Sequence, residues 1–464
     1  MFKSSSRTPH PRSRISRDGL KRALSPRQIQ LLSVGGVIGV GLFYGSGVAL
    51  TLAGPAVVLD YIVGGIVVAI VMRALGEMTV EEPTAGSFSR FAENTMGPMM
   101  GFITGGMWWF FWVSTVMSEL AAIGLLVQFW VPALPAWIPG FIALILFTFA
   151  NFLHVKVFGS IEVWFALLKI FAIAAFMGLG VFLAIRATFG GQHMAGIPNL
   201  WRFGGFFPHG FSGPLQAFSL VVLGYSGVET LAVTAGETAQ PEKSIPRAIN
   251  NVTWRIAILY IGSIFVMLIA FPWSALVGHH TSPYVLLFTR IGLPLAATII
   301  NAIIITSGLS SSNTGLYGGS RMLFSLSLQK RLPKALEHLS PNKVPIHAVL
   351  VTGIAMSFGI LLTYLAPNTV YVWISSAASF AAIWTWSTIL VSELIFKKRI
   401  GPRALKFPIP GGPWLPIIGL ILLAGILLAI MISPLTSISV WSGIAWLLFL
   451  IVYWQMRVKA ISKP

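Results

Sequence analysis

No cysteine occurs anywhere in the 464 residues. That excludes a disulfide framework, a thiolate metal site and a cysteine nucleophile, and leaves the redox state of the compartment undefined. Charge is nearly as scarce. Only 9% of residues are Asp, Glu, Lys or Arg, while 56% are hydrophobic, too few charges to solvate a soluble domain of this size. Acids are the rarest, with 13 Asp plus Glu against 31 Lys plus Arg, a formal charge of +18. Such a balance can mark a nucleic-acid binder, but the basic residues are spread over one alternate set of short loops and form no patch with interleaved aromatics, so no nucleic acid is expected. The eight histidines (10, 154, 193, 209, 279, 280, 338 and 347) fall in loops or at the ends of apolar runs, without metal-ligand spacing. Lacking a convergent catalytic constellation, the chain does not read as an enzyme, and neither cofactor nor metal is expected. No repeated filter sequence supports a channel.

What the chain does have is long apolar runs. Runs of about 20 residues are enough to cross a bilayer, and they predict an all-α polytopic protein with about twelve spans: 29–50, 55–76, 98–130, 136–153, 160–185, 213–236, 252–272, 291–318, 346–366, 370–396, 413–433 and 437–456. With a cytoplasmic N-terminus, 27 of the 31 Lys plus Arg fall on one side, Arg186, Arg202 and Arg290 on the other, and Lys169 inside a span. The positive-inside rule therefore places both termini in the cytoplasm and the protein in the cell membrane. The first 28 residues read as a basic tail, and the first apolar stretch is too long for a cleavable signal peptide. The segment 187–212 is glycine-rich and aromatic, too polar to span, and reads as an external cap.

Four ionisable residues, Asp60, Glu119, Lys169 and Glu229, fall within the spans. An ionisable side chain at mid-membrane costs roughly 2.5–3.5 kcal/mol on insertion scales, so such residues face a wet cavity, a partner, or a transported proton or solute. Glycine marks the same depth. The first span holds Gly-Gly-Val-Ile-Gly-Val-Gly at 35–41, and the sixth holds Gly224-Tyr225-Ser226-Gly227-Val228-Glu229, with Gly39 and Gly227 188 positions apart. Paired interruptions in corresponding spans of two halves are the sign of an inverted-repeat transporter with discontinuous helices at its site, although glycines also serve close helix packing. Freed amides around Val40, Gly41 and Leu42 can bind a carboxylate, and freed carbonyls near Ile38 and at Tyr225–Gly227 can bind an ammonium. An α-amino acid fits both.

The sequence resembles the bacterial amino-acid permeases of the amino-acid/polyamine/organocation superfamily. The likeness runs from about residue 23 to about 400 and is carried by Leu24–Gln30, Gly35–Phe43, Ala53-Gly54-Pro55, Arg73–Met78, Pro83–Phe88, Phe129–Pro132, Trp164–Lys169, Pro241–Ala248, Ser311–Tyr317 and Ser320–Leu323. The resemblance implies a leucine-transporter-type 5+5 inverted repeat with discontinuous helices 1 and 6, two additional helices, alternating access and proton-driven uptake. On that scheme the chain divides into a tail (1–28), a first repeat (29–186), the external loop (187–212), a second repeat (213–396), the last two helices with their preceding cytoplasmic loop (397–456) and a C-terminal tail (457–464).

The same resemblance implies roles. Lys169, about nine residues and roughly 13 Å into its span, is similar to a family lysine that substitutes for a bound sodium ion and loses its proton during the cycle. Glu119 matches an acid beside the substrate pathway, either a proton relay, a pocket acceptor or an anchor. Glu229 matches a glutamate that links the unwound segment to its neighbours. Asp60 stands where relatives have a neutral residue and reads as an interfacial or helix-contact group. Val40 replaces a hydroxyl or alanine side chain. Tyr225 stands where an aromatic gate closes over substrate. Of Trp108, Trp109, Trp112, Trp384 and Trp386, one or two are expected at the pocket, and Ser307, Ser310 and Ser311 can add hydroxyls. The expected substrate-binding set is therefore Ile38, Gly39, Val40, Gly41, Glu119, Tyr225, Ser226, Gly227 and Ser311, with Lys169, Glu119 and Glu229 as proton-coupling groups. The expected function is symport of neutral L-amino acids with protons. γ-Aminobutyrate uptake, amino-acid exchange and a non-transporting sensor are the alternatives. The expected partners are substrate, protons and the lipid bilayer, and no feature of the chain speaks to oligomeric state.

Overall fold

The computed structural model describes residues 38–82, 87–152, 155–190, 196–230, 241–277, 281–341, 344–367, 369–401 and 405–461. The N-terminal tail with the 24–30 motif, Gly35 and Gly36, Pro83–Gly86, His10, His154, His193, His279 and His280, the end of the sixth span (231–236) and the last three residues lie outside these. Among the described residues the protein is all-helical, apart from one isolated antiparallel bridge between Leu339 and Pro345.

Among the described residues, eight helical segments are long and apolar enough to cross a membrane: Gly41–Glu81, Pro98–Val127, Trp164–Ala187, Pro294–Leu328, Ile346–Leu365, Val370–Ile400, Trp414–Ile432 and Ser437–Arg457. The first of them merges two expected spans. It runs as a π-helical turn, Gly41–Gly45, into α1 (Ser46–Ala53), turns at Gly54, whose φ is +61°, and continues as α2 (Val57–Glu81). The expected spans at 136–153 and 252–272 appear as shorter apolar helices, Trp137–Asn151 and Ala257–Ala270. That at 213–236 is described as a 14-residue helix, Ser212–Tyr225.

Local sequence sets several helix ends. Pro98 and Pro294 occupy the first helical turn, where a missing N–H costs nothing. Gly401, at φ +71°, ends the helix that starts at Val370. The helix Pro98–Val127 is the axis of the molecule, with 83% of its apolar window buried against 22% for Ser437–Arg457. It packs against Pro294–Leu328, Val370–Ile400, Ile346–Leu365 and Trp137–Asn151. One of its faces enters the main core through Met107, Phe111 and Trp112. The opposite face, Trp109, Val113, Val116 and Leu120, packs with Leu144, Phe147, Val349 and Met356 in a second cluster. Outward side chains such as Leu146, Phe149, Phe171, Phe182, Ile421 and Phe449 are exposed and apolar, as lipid-facing positions require.

The polar ends are tied together. Glu77 and Glu393, both fully buried, share Lys397, at 3.4 and 3.0 Å. The backbone N–H of Ile409 also donates to Glu77. Arg399 pairs with Glu82 at 2.8 Å, and the guanidinium of Arg73 lies 3.8 Å over the Phe407 ring while donating to the Pro408 carbonyl at 2.8 Å. The described part of the 187–212 segment packs over the end of α1. His209 Nδ1 is 2.8 Å from the Leu52 carbonyl, and Trp273 donates to the Phe203 carbonyl at 2.9 Å.

Candidate functional site

Two helix ends meet inside this bundle. Ile38 and Gly39 are not helical, and the described helix begins at Val40. From there to Ala53 it is about 20 Å long at helical rise, too short to cross alone. Its Val40 amide is therefore a free helix N-terminus within the protein. The second end closes the helix Ser212–Tyr225. Ser226 is extended, with φ −70° and ψ 155°, and Gly227 has φ +98°, a conformation that suits glycine. The ends cross at Gly41 and Gly224, where a Cβ on Gly41 would stand 3.3 Å from the Gly224 Cα. Close packing explains further glycines of this stretch. A Cβ on Gly45 would meet the Tyr371 hydroxyl at 2.6 Å, and one on Gly47 the Pro283 ring at 2.8 Å.

The N-terminus at Val40 already holds a carboxylate. Its N–H donates to Glu119 Oε2 at 3.2 Å, the favoured place for negative charge on a helix. Ser311 is a further hydrogen-bond partner of Glu119, and the Lys169 charge acts on it. A Cβ on Gly39 would overlap Glu119 Oε1 and lie 3.1 Å from Ser311 Oγ, so only glycine lets the carboxylate approach. The preceding turn is fixed by Ser307, whose hydroxyl donates to the Ile38 carbonyl at 2.7 Å. Lys169 is fully buried and donates to Ser310 Oγ at 2.9 Å. Ser307, Ser310 and Ser311 thus present three hydroxyls from one helix to Ile38, Lys169 and Glu119.

Glu229 forms the other anchor. It is fully buried, and its oxygens accept from Trp108 Nε1 at 3.3 Å, Trp386 Nε1 at 3.2 Å and the Gly227 N–H at 3.2 Å. All three are donors, the set that an ionised carboxylate accepts. The unwound segment is thereby fastened to Pro98–Val127 and to Val370–Ile400.

Between the two anchors lies a narrow, partly open cavity lined by Gly39, Gly41, Trp112, Thr115, Glu119, Leu223, Ser226 and Ser311. The sequence-expected residues Gly39, Gly41, Glu119, Ser226 and Ser311 are brought together on its wall. Ile38, Val40 and Gly227 support the wall through backbone groups. Tyr225 is turned away, against the expectation of an aromatic gate. Its hydroxyl donates to the Tyr61 carbonyl at 2.8 Å, and its ring stacks on Tyr260 at 4.9 Å, because the chain extends one residue later and sends the side chain toward α2. Of the five tryptophans, Trp112 lines the cavity, Trp108 and Trp386 hold Glu229, and Trp109 donates to Thr352 at 3.1 Å. Asp60 is buried at 2% exposure, which corrects the interfacial reading, and its Oδ2 has no hydrogen-bond partner. Thr115 and Leu223 were not among the expected site residues. Helical spacing offered a signal for Thr115, since Trp112, Thr115 and Glu119 stand at i, i+3 and i+7 on one face.

Among the described residues no cluster of His, Cys, Asp or Glu could hold a metal ion. A multi-span helical membrane protein with a polar cavity where two helix ends meet is the build of a solute transporter. The chain belongs to the amino acid permease family, whose model matches residues 28–461. It is 43% identical to the uncharacterized amino acid permease YtnA of Bacillus subtilis over 435 residues, 93% of this chain and 94% of the relative. It is 38% identical, over 93% of its length and 94% of the relative, to the probable threonine/serine transporter YbxG of the same organism. It is also 38% identical, over 95% and 96% of the two chains, to the aromatic amino acid transport protein AroP of Salmonella typhimurium.

Proposed function

We propose that this amino acid permease takes up neutral L-amino acids in symport with protons, by alternating access, in the bacterial inner membrane. The observation that carries the reading is the meeting of the Val40 helix N-terminus with the Tyr225 helix C-terminus, beside a cavity that holds the Glu119 carboxylate. A helix N-terminus attracts a carboxylate and a helix C-terminus an ammonium, so the crossing suits a zwitterion. Glu119 already occupies the Val40 N–H, and an incoming substrate carboxylate displaces it. Protonation of Glu119 eases that exchange, linking proton and substrate. Lys169, close enough for its charge to act on Glu119, is the cation that replaces a bound sodium ion and gives up its proton during the cycle. Glu229 keeps the sixth-span break attached to two long helices while the site opens and closes.

The wider architecture of this proposal is twelve spans in a 5+5 repeat, 29–186 and 213–396, with both termini cytoplasmic and the 187–212 segment outside. The names of the relatives reach from threonine and serine to aromatic amino acids, which supports the amino-acid class as a whole. The test is uptake of an amino-acid panel and γ-aminobutyrate into proteoliposomes under an imposed proton or sodium gradient. Accumulation under the inward proton gradient alone is expected, and Lys169→Ala should abolish it while leaving substrate binding measurable. Exchange of preloaded solute without accumulation would sink symport. Retained accumulation by the lysine variant would move coupling away from Lys169.

A further inference from the structure

We infer that Trp112 and Thr115 form a hydrogen-bonding subsite for the substrate side chain, and that the transported amino acid carries a hydroxyl on that side chain. The inference rests on the transport reading above and narrows its substrate class.

Both residues line the cavity, Trp112 is 1% and Thr115 7% exposed, and among the described residues neither Trp112 Nε1 nor Thr115 Oγ1 has a hydrogen-bond partner. Buried polar groups are almost always paired, and each exception calls for a reason. Comparison with neighbouring groups sharpens the point. Trp108 and Trp109, in the same helix, place their indole N–H groups on Glu229 and Thr352. Thr352, Thr363 and Thr385 satisfy their hydroxyls on the carbonyl four residues earlier, at 2.7–3.0 Å. Trp112 and Thr115 do neither; Trp384 Nε1 and the hydroxyls of Thr104, Thr148, Thr230 and Thr314 are also unpaired among the described residues, but of these groups only Trp112 and Thr115 line the cavity.

The Trp112 ring is held where it is. It packs edge-on against Trp108 at 6.0 Å and tilted against Phe111 at 5.1 Å. Gly315 leaves the room for it, since a Cβ there would come within 2.6 Å of the ring. Ring position is therefore set by packing, and the unpaired N–H is fixed in place, which is what recognition requires.

Distance selects the ligand. Glu119 marks the end of the site where the substrate backbone binds. Thr115 lies one helical turn away, about 6 Å along the axis, and Trp112 about 10 Å. A group on the β-carbon of an amino acid reaches Thr115 from the Glu119 end, and a hydroxyl there can donate to Thr115 while accepting from Trp112. Leu223 supplies an apolar wall beside them, suited to the short carbon skeleton of serine or threonine.

The experiment compares pairs that differ by one hydroxyl in proteoliposomes: serine against alanine, and threonine against 2-aminobutyrate. A site that hydrogen-bonds a substrate hydroxyl rejects the analogue lacking it, because its own polar groups are then left unpaired. The wild type is expected to prefer the hydroxyl partner of each pair by at least about tenfold in uptake at limiting concentration. In Trp112→Phe/Thr115→Val that ratio should fall toward one, whereas Thr115→Ser, which keeps the hydroxyl, should preserve it. A wild-type ratio at or below one overturns the inference, and does so without any variant having to fold. An unchanged ratio in the double variant overturns it equally. Failure of the protein to transport any amino acid would sink the transport reading itself, whereas transport without hydroxyl preference sinks this inference alone.

Discussion

Replacing Glu229 by Gln changes one atom and tests whether this carboxylate holds the interrupted sixth span to its neighbours. In the structure Oε1 accepts one bond, from Trp108 at 3.3 Å, and Oε2 accepts two, from Trp386 and the Gly227 N–H, both at 3.2 Å. A glutamine amide has a single acceptor oxygen. Its better orientation puts that oxygen at the Oε2 position, keeps two bonds and points the NH2 group at the Trp108 N–H, donor against donor. The alternative orientation loses two bonds. The variant therefore leaves at least one indole N–H buried and unpaired, at a cost of about 1–3 kcal/mol. Unfolding entropy of roughly 2.1 cal/mol/K per residue converts this to about 1–3 °C in the melting temperature of a chain of this size. Uptake should fall more steeply, about tenfold or more, because Gly227 at φ +98° loses its restraint where the cavity opens. The assay is a double-mutant cycle. Trp108→Phe removes the conflicting N–H, so Glu229→Gln should cost less in that background than in the wild type, with a coupling of about 1 kcal/mol. Additive losses, or a Gln variant as stable and active as the wild type, would refute the argument that Glu229 acts through these bonds.

The other predictions concern groups at the two ends of the same machinery. Lys397→Met leaves Glu77 and Glu393 buried without their shared cation. A loss of about 2–3 kcal/mol is expected, below the 3–5 kcal/mol of a fully buried pair because Lys397 is itself partly exposed. Thermal denaturation in detergent checks it, and adding Glu393→Gln should recover part of the loss. An unchanged melting temperature would show that the cluster contributes nothing. Gly39→Ala places a methyl group against the Glu119 carboxylate and Ser311, so substrate affinity should fall by about tenfold, the equivalent of roughly 1.4 kcal/mol. Tryptophan-fluorescence titration checks this, and native affinity would mean that the substrate carboxylate does not use the space beside Gly39.

Much of this architecture was legible because it is local. Apolar length marks the helices, and Glu119, Lys169 and Glu229 stand out as charges within them, all three buried in the structure. The two glycine-rich stretches were visible for the same reason, and Gly41 and Gly224 do meet. What failed was information that depends on partners far away in the chain. The Val40 amide, expected to await a substrate carboxylate, meets one 79 residues away, and nothing near Val40 in sequence announces it. The direction in which Tyr225 leaves the break depends on Ser226 being the first extended residue. Trp112 and Thr115 fall between these cases. Their spacing to Glu119 could be read from the sequence, but their unpaired polar atoms appear only when the surrounding helices are in place and other donors of the same helix have found partners. Position on a helical face is thus a property of the sequence, whereas availability for a ligand is a property of the packed fold. The residues that choose a substrate are those for which both hold.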